Sequence, residues 1–410
     1  MEGKRMNKGV LTGMRVVEGS AFVAVPLAGM TLAQMGADVI RFDRLQGGLD
    51  SRRWPVTDAG QSLFWAGLNK GKRSLAVDMA HPEGQEIIAE LITAPGPDAG
   101  MFLTNLRTKG WMDYPALSAR RADLIMISLQ GTRRGEPAVD YTVNPSLGFP
   151  MATGPVGSTD PVAHVLPAWD CIAGQVVVNT LLAAERHRLR SGQGQCAELA
   201  LKDVAAAMLG HLGIIGEVCI NGVDRPKSGN ALYGAYGQDF ATACNNRVMV
   251  IGLTDRQWAG LVRTLGMQDA VAALAALTGL DLADEGNRYR ARDAITALFA
   301  PWFAARTLAT IAPLMDSAKL TWTPFRSFAG AVHSDPDLSP DNPMFADIHQ
   351  PGIGNYPVPG SPVSSTAFNR LPPEPAPQLG QHSEAILADI LGMGASQIGA
   401  LMDKGIVAGP

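Results

Sequence analysis

Short β-rich runs alternate with segments of helical periodicity through the first part of this 410-residue chain, and this alternation constrains its fold more than any other feature. Helices are predicted at Pro26–Met35 and at Pro82–Thr93, each with proline at its start. The predicted strands are Arg15–Glu18, Asp38–Phe42, Ser74–Asp78, Gly100–Leu103 and Leu124–Leu129. Strands that alternate with helices are typical of βαβ units around a parallel sheet. We therefore expect a doubly wound α/β fold.

A change of pattern near residues 222–236 indicates a second domain. The chain there is rich in Gly, Asn, Pro and Tyr, and a predicted strand at Val248–Gly252 and alanine-rich helices to about Ala305 follow it. From His333 to Pro377 the chain is proline-rich and polar, which is typical of a long connection. We expect three parts: a Rossmann-like large domain over residues 1–220, an inserted smaller α/β domain over residues 221–332, and a linker with a C-terminal return to the large domain over residues 333–410.

Charge and hydropathy narrow the classes of partner. The formal net charge is −4 at pH 7, which gives no reason to expect nucleic acid or an anionic membrane as a partner. No run of residues is long and apolar enough to span a bilayer. Residues 1–8 lack the apolar stretch of a signal peptide. A cytoplasmic location is therefore expected.

The cysteines and histidines show no metal-binding or disulfide pattern. The four cysteines are scattered without a Cys-x-x-Cys pair, and the seven histidines lack the spacing of a metal site. We expect no metal ion, and we expect the cysteines to be small core residues of a cytosolic protein.

Asp170 stands where an apolar segment passes into an almost uncharged helix. No charged residue occurs from Cys171 to Ala184, which predicts a buried helix, and the basic run Arg186–Arg190 suits its C-terminus. In the first turn of that helix the macrodipole favours an anion. A carboxylate held beside an apolar interior is a candidate nucleophile toward acyl groups. The alternative is that Asp170 only caps a core helix.

Two glycine-rich segments resemble nucleotide-binding motifs without their context. Gly192–Ala197 fits a G-x-G-x-x-A pattern, but it follows a helix and precedes a predicted strand at Ala197–Leu201, the reverse of the dinucleotide-binding order. A tight turn between helix and strand is predicted instead. Gly67–Ser74 lacks the spacing of a phosphate-binding P-loop.

Several segments taken in order carry a resemblance to a known family. From about residue 11 to its end, the chain resembles the class III coenzyme A transferases (CaiB/BaiF type). Within that family it looks most like the members that move CoA between the two carboxyl groups of mesaconate, a C5 unsaturated dicarboxylate. The segments that carry the family resemblance are Leu11–Val17, Gly36–Asp43, Asn69–Asp78, Leu103–Leu106, Asp170 and Leu379–Glu384. The closer likeness lies in Val16–Ala24, Asn69–Ser74, His164–Asp170 and Gln350–Asn355.

The resemblance implies a covalent mechanism and a dimer. The aspartate that matches Asp170 would attack the thioester, form a mixed anhydride and then carry CoA as an aspartyl thioester. Coenzyme A would be part of the substrate, with no permanently bound cofactor. Two chains would form a homodimer of interlocked rings.

The family's contacts with coenzyme A carry over by matching motif. Phe22, Val23 and Ala24 would line the pantetheine arm, and Asn105 with Leu106 would flank it. Arg44 would meet the nucleotide end, Val77 the adenine, and Lys72 and Arg73 a phosphate. For Lys72 and Arg73 the alternative is a solvated basic turn.

Other parts of the site stay open at the level of sequence. Gly229–Gly237 is either a source of backbone donors for an oxyanion or an ordinary linker. His164 either orients the departing carboxylate or is hydrogen-bonded in the core. The second carboxylate of the substrate requires a cation, and four arginines are candidates: Arg52, Arg53, Arg133 and Arg134.

Three other reactions use the same scaffold. An α-methylacyl-CoA racemase is disfavoured, because those relatives place a histidine where this chain has Val139. A thioesterase would use the same Asp170 anhydride with water. An intermolecular transferase, for example from succinyl-CoA to a dicarboxylate, would use the same residues as an intramolecular isomerase.

Overall fold

The computed structural model describes residues 9–410, and residues 1–8, with the prediction about a signal peptide, lie outside the described part. Twelve strands occur in these residues: β1 Arg15–Gly19, β2 Asp38–Asp43, β3 Arg73–Val77, β4 Met101–Thr104, β5 Ile125–Gln130, β6 Gln195–Ala200, β7 Tyr236–Ala241, β8 Arg247–Gly252, β9 Thr321–Pro324, β10 Phe345–Gln350, β11 Gly354–Pro359 and β12 Val407–Ala408.

Seventeen α-helices accompany them in the described chain: α1 Ala24–Gln34, α2 Leu63–Leu68, α3 Pro82–Thr93, α4 Tyr114–Arg120, α5 Asp140–Ser146, α6 Phe149–Ala152, α7 Ala168–Ser191, α8 Leu201–His211, α9 Ile214–Asn221, α10 Asp255–Leu265, α11 Gln268–Thr278, α12 Glu285–Arg290, α13 Arg292–Ala304, α14 Leu308–Ser317, α15 Phe328–Ser334, α16 Ser383–Asp389 and α17 Ala395–Asp403.

The main sheet has seven strands in the order β12-β3-β2-β1-β4-β5-β6. Its strands β1 to β6 pair in parallel, and only β12 runs antiparallel, against β3. The order 3-2-1-4-5-6 is that of the Rossmann sheet, in which helices cover both faces of a buried parallel sheet. The doubly wound α/β prediction is therefore confirmed for the main sheet. Three further strands form the antiparallel sheet β7-β8-β9.

The chain divides into two compact units. Among the described residues, the first comprises 9–147, 165–216 and 335–410, and the second comprises 148–164 and 217–334. The second unit differs from the predicted small domain mainly by the segment 148–164, which the sequence places in the large domain. Within the second unit the amide of Gly229 donates to the carbonyl of Gly154 at 3.1 Å, and the Lys227 ammonium donates to the carbonyl of Asp160. These contacts join segments about seventy residues apart, which no local pattern reveals.

The proline-rich stretch 333–377 is not a plain linker. It contains the antiparallel ribbon β10–β11, in which Phe345 is paired with Pro359 and Gln350 with Gly354. Proline residues in β11 conceal this hairpin from a sequence pattern, because proline disfavours a central strand but is tolerated at the free edge of a ribbon. Part of the predicted long connection is therefore an antiparallel hairpin.

The cysteines also differ from their prediction. Cys196, Cys219 and Cys244 are exposed and Cys171 is half-buried, so they are not core residues. All four are free thiols. Within residues 9–410 no group of three His, Cys, Asp or Glu side chains is placed to hold a metal ion.

Within residues 9–410, a membrane-spanning helix would have to be about 20 residues long and predominantly apolar. No single helix satisfies both requirements. Two bent helix pairs satisfy them jointly: α8 with α9, bent by 60°, and α13 with α14, bent by 118°.

Candidate active site

A cavity of about 580 Å³ lies at the carboxyl ends of β1, β4 and β5 in the first unit. The neighbours of β1 are β2 on one side and β4 on the other. In open α/β sheets this reversal of strand order opens a crevice where ligands bind. Five predicted site residues line the cavity: Phe22, Val23, Ala24, Asn105 and Asp170.

Asp170 enters the cavity from the first turn of α7. That helix starts at Ala168, two residues earlier than Asp170, and ends at Ser191 with Gly192 in the left-handed region at φ 72°. Gly192 thus makes the tight turn into β6 that the glycine pattern predicts. Trp169 anchors the helix start, because its ring is buried and its Nε1 donates to Asn144 Oδ1 at 3.1 Å.

Close packing of α1 on α7 sets the distance between the two sides of the cavity. A Cβ on Gly174 would lie 2.7 Å from the carbonyl oxygen of Ala24, well inside van der Waals contact. Glycine at this position therefore lets the backbones of the two helices approach closely. The approach brings the start of α7, with Asp170, beside the start of α1, with Val23 and Ala24.

A second carboxylate, that of Asp140, occupies the helix terminus beneath Asp170. Asp140 is fully buried, and its Oδ2 accepts the backbone N–H groups of Trp169 at 2.7 Å and of Asp170 at 3.2 Å. Two of the free N–H groups of α7 are thereby satisfied by Asp140 and are not available to the Asp170 side chain. No local pattern reveals this role of Asp140, because Asp140 and Asp170 are 30 positions apart.

The pKa of Asp170 is shifted against the direction that the helix macrodipole favours. Burial, and secondly the negative charge of Asp140, raise the pKa of Asp170 from 3.8 to about 6, although Arg53 acts in the opposite sense. The macrodipole of α7 would favour the anion, but Asp140 already takes up the terminal N–H groups and adds a like charge. A carboxylate with a raised pKa is more basic and is still mainly ionised at neutral pH, which suits a nucleophile.

The loop after β1 is held in an unusual conformation. Phe22 has φ 68°, in the left-handed region that non-glycine residues rarely adopt. Its N–H donates to Asp50 Oδ2 at 3.0 Å, and the amide of Asn105 clamps Ala21 through two hydrogen bonds of 2.9 and 2.8 Å. Such backbone strain persists where neighbouring groups determine the loop, and it often accompanies functional sites.

A buried ionic network lies under this loop and includes Lys72. The Lys72 ammonium donates to Glu18 Oε1 at 2.8 Å, to Asn69 Oδ1 at 2.8 Å and to the carbonyl of Pro26 at 2.9 Å. Its side chain is completely buried, so it cannot meet a phosphate, and it is not a solvated turn either. The prediction of a phosphate contact is wrong for Lys72. The Lys72 ammonium is instead paired with the buried carboxylate of Glu18, as a buried cation requires.

The other predicted CoA contacts lie outside the cavity. Val77 is fully buried in β3 opposite Val407, so its side chain is not available to adenine, and that prediction is corrected. The guanidinium of Arg73 is paired with Asp38, and Leu106 packs against the core of the first unit. Arg44 is exposed directly after β2. For Arg44, Arg73 and Leu106 the contact with coenzyme A stays a prediction.

The structure separates the four candidate arginines. Arg53 lines the cavity that contains Asp170, whereas Arg52 lines a different cavity beside Asp43. Arg133 and Arg134 are exposed and do not line the Asp170 cavity. No spacing rule distinguishes two adjacent arginines, because the local backbone decides which way each side chain points.

His164 and Gly229–Gly237 belong to the second compact unit. Their predicted roles in orienting the carboxylate and in stabilising an oxyanion stay predictions. Val139, the position at which racemase-like relatives have histidine, lines the cavity with an apolar side chain that cannot act as a base.

Comparison with known proteins agrees with this geometry. The family model for CoA-transferase family III matches residues 11–383. A 2-methylfumaryl-CoA isomerase of Chloroflexus aurantiacus is 58% identical over 404 residues, which cover 98% of this chain and 99% of that protein. A succinyl-CoA:mesaconate CoA-transferase of Haloarcula hispanica is 27% identical over 94% of this chain and 97% of that protein.

A solved structure shows the same fold. A CAIB/BAIF family protein from Brucella suis, 24% identical, superposes with a TM-score of 0.74 over 93% of this chain and 100% of its own. The sequence matches extend over nearly the whole chain and include the residues around the cavity. The chain therefore belongs to CoA-transferase family III and is an enzyme of the CoA-transferase type.

Proposed function

We propose that the protein moves CoA within one dicarboxylate, converting 2-methylfumaryl-CoA to 3-methylfumaryl-CoA. The observation that carries the proposal is the 58% identity, over nearly the full length of both chains, with an enzyme of that name. The cavity supports it, because a carboxylate with a raised pKa lies among the residues expected to line the pantetheine arm.

Asp170 carries each covalent step of the proposed reaction. Its carboxylate attacks the thioester carbonyl, and the C–S bond breaks. CoA departs as the thiolate, and the acyl group stays on the enzyme as a mixed anhydride with Asp170. The thiolate attacks the Asp170 carbonyl of the anhydride, which forms an aspartyl-CoA thioester and frees the dicarboxylate. The other carboxylate of the same acid then attacks the aspartyl thioester and expels thiolate. Attack of the thiolate on the acyl carbon forms the product and restores Asp170.

A second candidate is transfer between two different acids. It is favoured by the 27% identity with a succinyl-CoA:mesaconate CoA-transferase. Both reactions use the same Asp170 intermediates and differ only in whether the free acid leaves the cavity at the aspartyl-CoA stage.

Isotope labelling distinguishes the two reactions. Purified protein is given mesaconyl-CoA thioesterified at carbon 1 together with excess labelled free mesaconate and no other acid. We expect the carbon 4 thioester to form with almost no label, because an isomerase retains its own acid. Mass spectrometry of the CoA esters measures the label. Label that enters the ester pool as fast as product forms would replace the isomerase proposal with the transferase.

We also propose that two copies form the interlocked homodimer that the family resemblance implies. In the single chain, apolar side chains of the first unit just after the end of α8 are left in solvent, with 67% of Leu212 and 47% of Ile215 exposed. A surface of this kind favours a partner. Analytical ultracentrifugation at nanomolar dilution is expected to show no monomer, because interlocked rings separate only by unfolding. A monomer population that grows reversibly on dilution would contradict interlocking.

A further inference from the structure

We infer that Arg53 binds the carboxylate of the acyl group that is not joined to CoA, and so selects dicarboxylate over monocarboxylate thioesters. The inference rests on the proposed function, which supplies a dicarboxylate. In the proposed reaction the second carboxylate of the substrate must enter a cavity that already holds negative charge, so a cation is required there. Arg53 supplies that cation.

The charged side chains that line the cavity show why a cation is required. Two carboxylates, those of Asp140 and Asp170, line it, and Arg53 is the one cationic side chain among its lining residues within the described chain. The charge of Arg53 acts on Asp170, since it opposes the rise in pKa of that carboxyl group. A second substrate carboxylate without a cation would be repelled by both aspartates.

The guanidinium of Arg53 is held by aromatic rings and not by an acid. Its central carbon lies 5.2 Å from the centre of the Phe64 ring and 5.9 Å from that of Phe22. Within residues 9–410 no acidic residue forms an ion pair with Arg53, although the Arg53 backbone N–H donates to the carbonyl of Asp50, whose carboxylate pairs with Arg41. Aromatic contacts engage the face of a guanidinium and leave its N–H edge available for a bidentate carboxylate.

The ring of Phe22 has its position because of the left-handed loop. The Phe22 N–H donates to Asp50, and this bond belongs to the same buried network that holds Arg41 and Lys72. The network thus shapes the wall on which Arg53 rests.

A single cation serves both directions of the reaction. While one carboxyl group is joined to Asp170 or CoA, the other is bound by Arg53. At the aspartyl-CoA stage both carboxylates of the acid are free. Before the second attack, the carboxylate that was bound to Arg53 moves to the aspartyl thioester, and the other carboxylate binds to Arg53. The inference therefore predicts that Arg53 also retains the free acid.

The test compares two thioesters that differ only at the free carboxylate. Mesaconyl-CoA esterified at carbon 1 is compared with tiglyl-CoA, which has a methyl group in place of that carboxylate. Hydroxylamine destroys the Asp170 anhydride, so CoA release in its presence, measured in a single turnover, reports acylation of Asp170. The quantity of interest is the ratio of the two acylation rates.

We expect Arg53→Gln to lower the mesaconyl-to-tiglyl ratio by about 30- to 100-fold, the range of a charge-assisted bidentate contact. Arg53→Lys, which keeps the charge without the fork, is expected to give an intermediate ratio. Arg52→Gln is the matched control, because its side chain lines the other cavity. It is expected to keep the wild-type ratio.

An unchanged ratio in both Arg53 variants, or an equal fall in Arg52→Gln, would overturn the assignment. A failure of the proposed function is detected by a different measurement, the entry of label into the CoA esters with wild-type protein. That measurement reports release of the free acid and does not depend on the ratio of the two acylation rates. If Arg53→Gln does not fold, Arg53→Lys alone is measured. A wild-type mesaconyl-to-tiglyl ratio, together with a product as free of label as that of the wild type, would contradict the bidentate role.

Discussion

Replacing Asp170 by alanine is expected to lower the rate of CoA transfer by about 10⁴-fold or more, because it removes the group that forms every covalent intermediate. The binding of acyl-CoA is expected to change little, since Asp170 makes no proposed contact with the nucleotide. Isomerisation assays measure the first effect, and calorimetric titration with a non-reactive CoA thioether measures the second.

A matched control lies on the next helix. Asp203 also stands in the first turn of its helix, α8, but it is exposed and does not line the cavity. Asp203→Ala is expected to retain nearly the wild-type rate. Turnover by Asp170→Ala above about one per cent of the wild-type rate would contradict the covalent mechanism, because single losses of a catalytic nucleophile cost far more than that.

The raised pKa of Asp170 predicts opposite effects on activity and on stability. Only the ionised carboxylate attacks, so the acylation rate is expected to rise with pH, to be half-maximal near the pKa of about 6 and to level off about one pH unit above it. The groups that act on this titration are Asp140, which raises the pKa, and Arg53, which lowers it. A rate profile with an apparent pKa near 4 would show that burial does not act on Asp170 as inferred.

The sign of the stability effect follows from linkage. The folded protein holds the Asp170 proton to a higher pH than the unfolded chain, whose pKa is the ordinary value. The stabilisation from this proton is complete below about pH 4 and is lost as the pH rises to about 6. A rise from 3.8 to about 6 corresponds to at most roughly 3 kcal/mol, and partial solvent exposure reduces this to about 1–2 kcal/mol.

Asp170→Asn is therefore expected to raise the free energy of unfolding by about 1–2 kcal/mol at pH 8 and by much less at pH 4. Urea denaturation at the two pH values measures the difference, with Asp203→Asn as the exposed control. Equal stability of Asp170→Asn and wild type at pH 8 would contradict a buried, destabilised carboxylate.

Local signals were sufficient for helix α3 and for most of the parallel sheet of the first unit. Helix α3 has the predicted bounds Pro82–Thr93, because its proline, acidic first turn and apolar stripe all lie within the element. The predicted strands that correspond to β1–β5 differ from the observed ones by a single residue at one or both ends, whereas the strand predicted at Ala197–Leu201 begins two residues later than β6. The identification of Asp170 likewise depended on its own helix and on a resemblance carried by contiguous segments.

Partners in the tertiary structure decided the remaining features. Lys72 has the local pattern of an exposed basic turn, but Glu18, 54 positions earlier, makes it a buried ion pair. Burial of Asp170 and, secondly, the charge of Asp140, 30 positions away, raise the pKa of Asp170, and backbone geometry places Arg53 and Arg52 in different cavities. The sequence by itself determined the α/β sheet and the proposed nucleophile, because periodicity and helix-end signals are local. Burial and the neighbouring charges were decided only by the tertiary structure, because both depend on residues that are distant in the chain and adjacent in space.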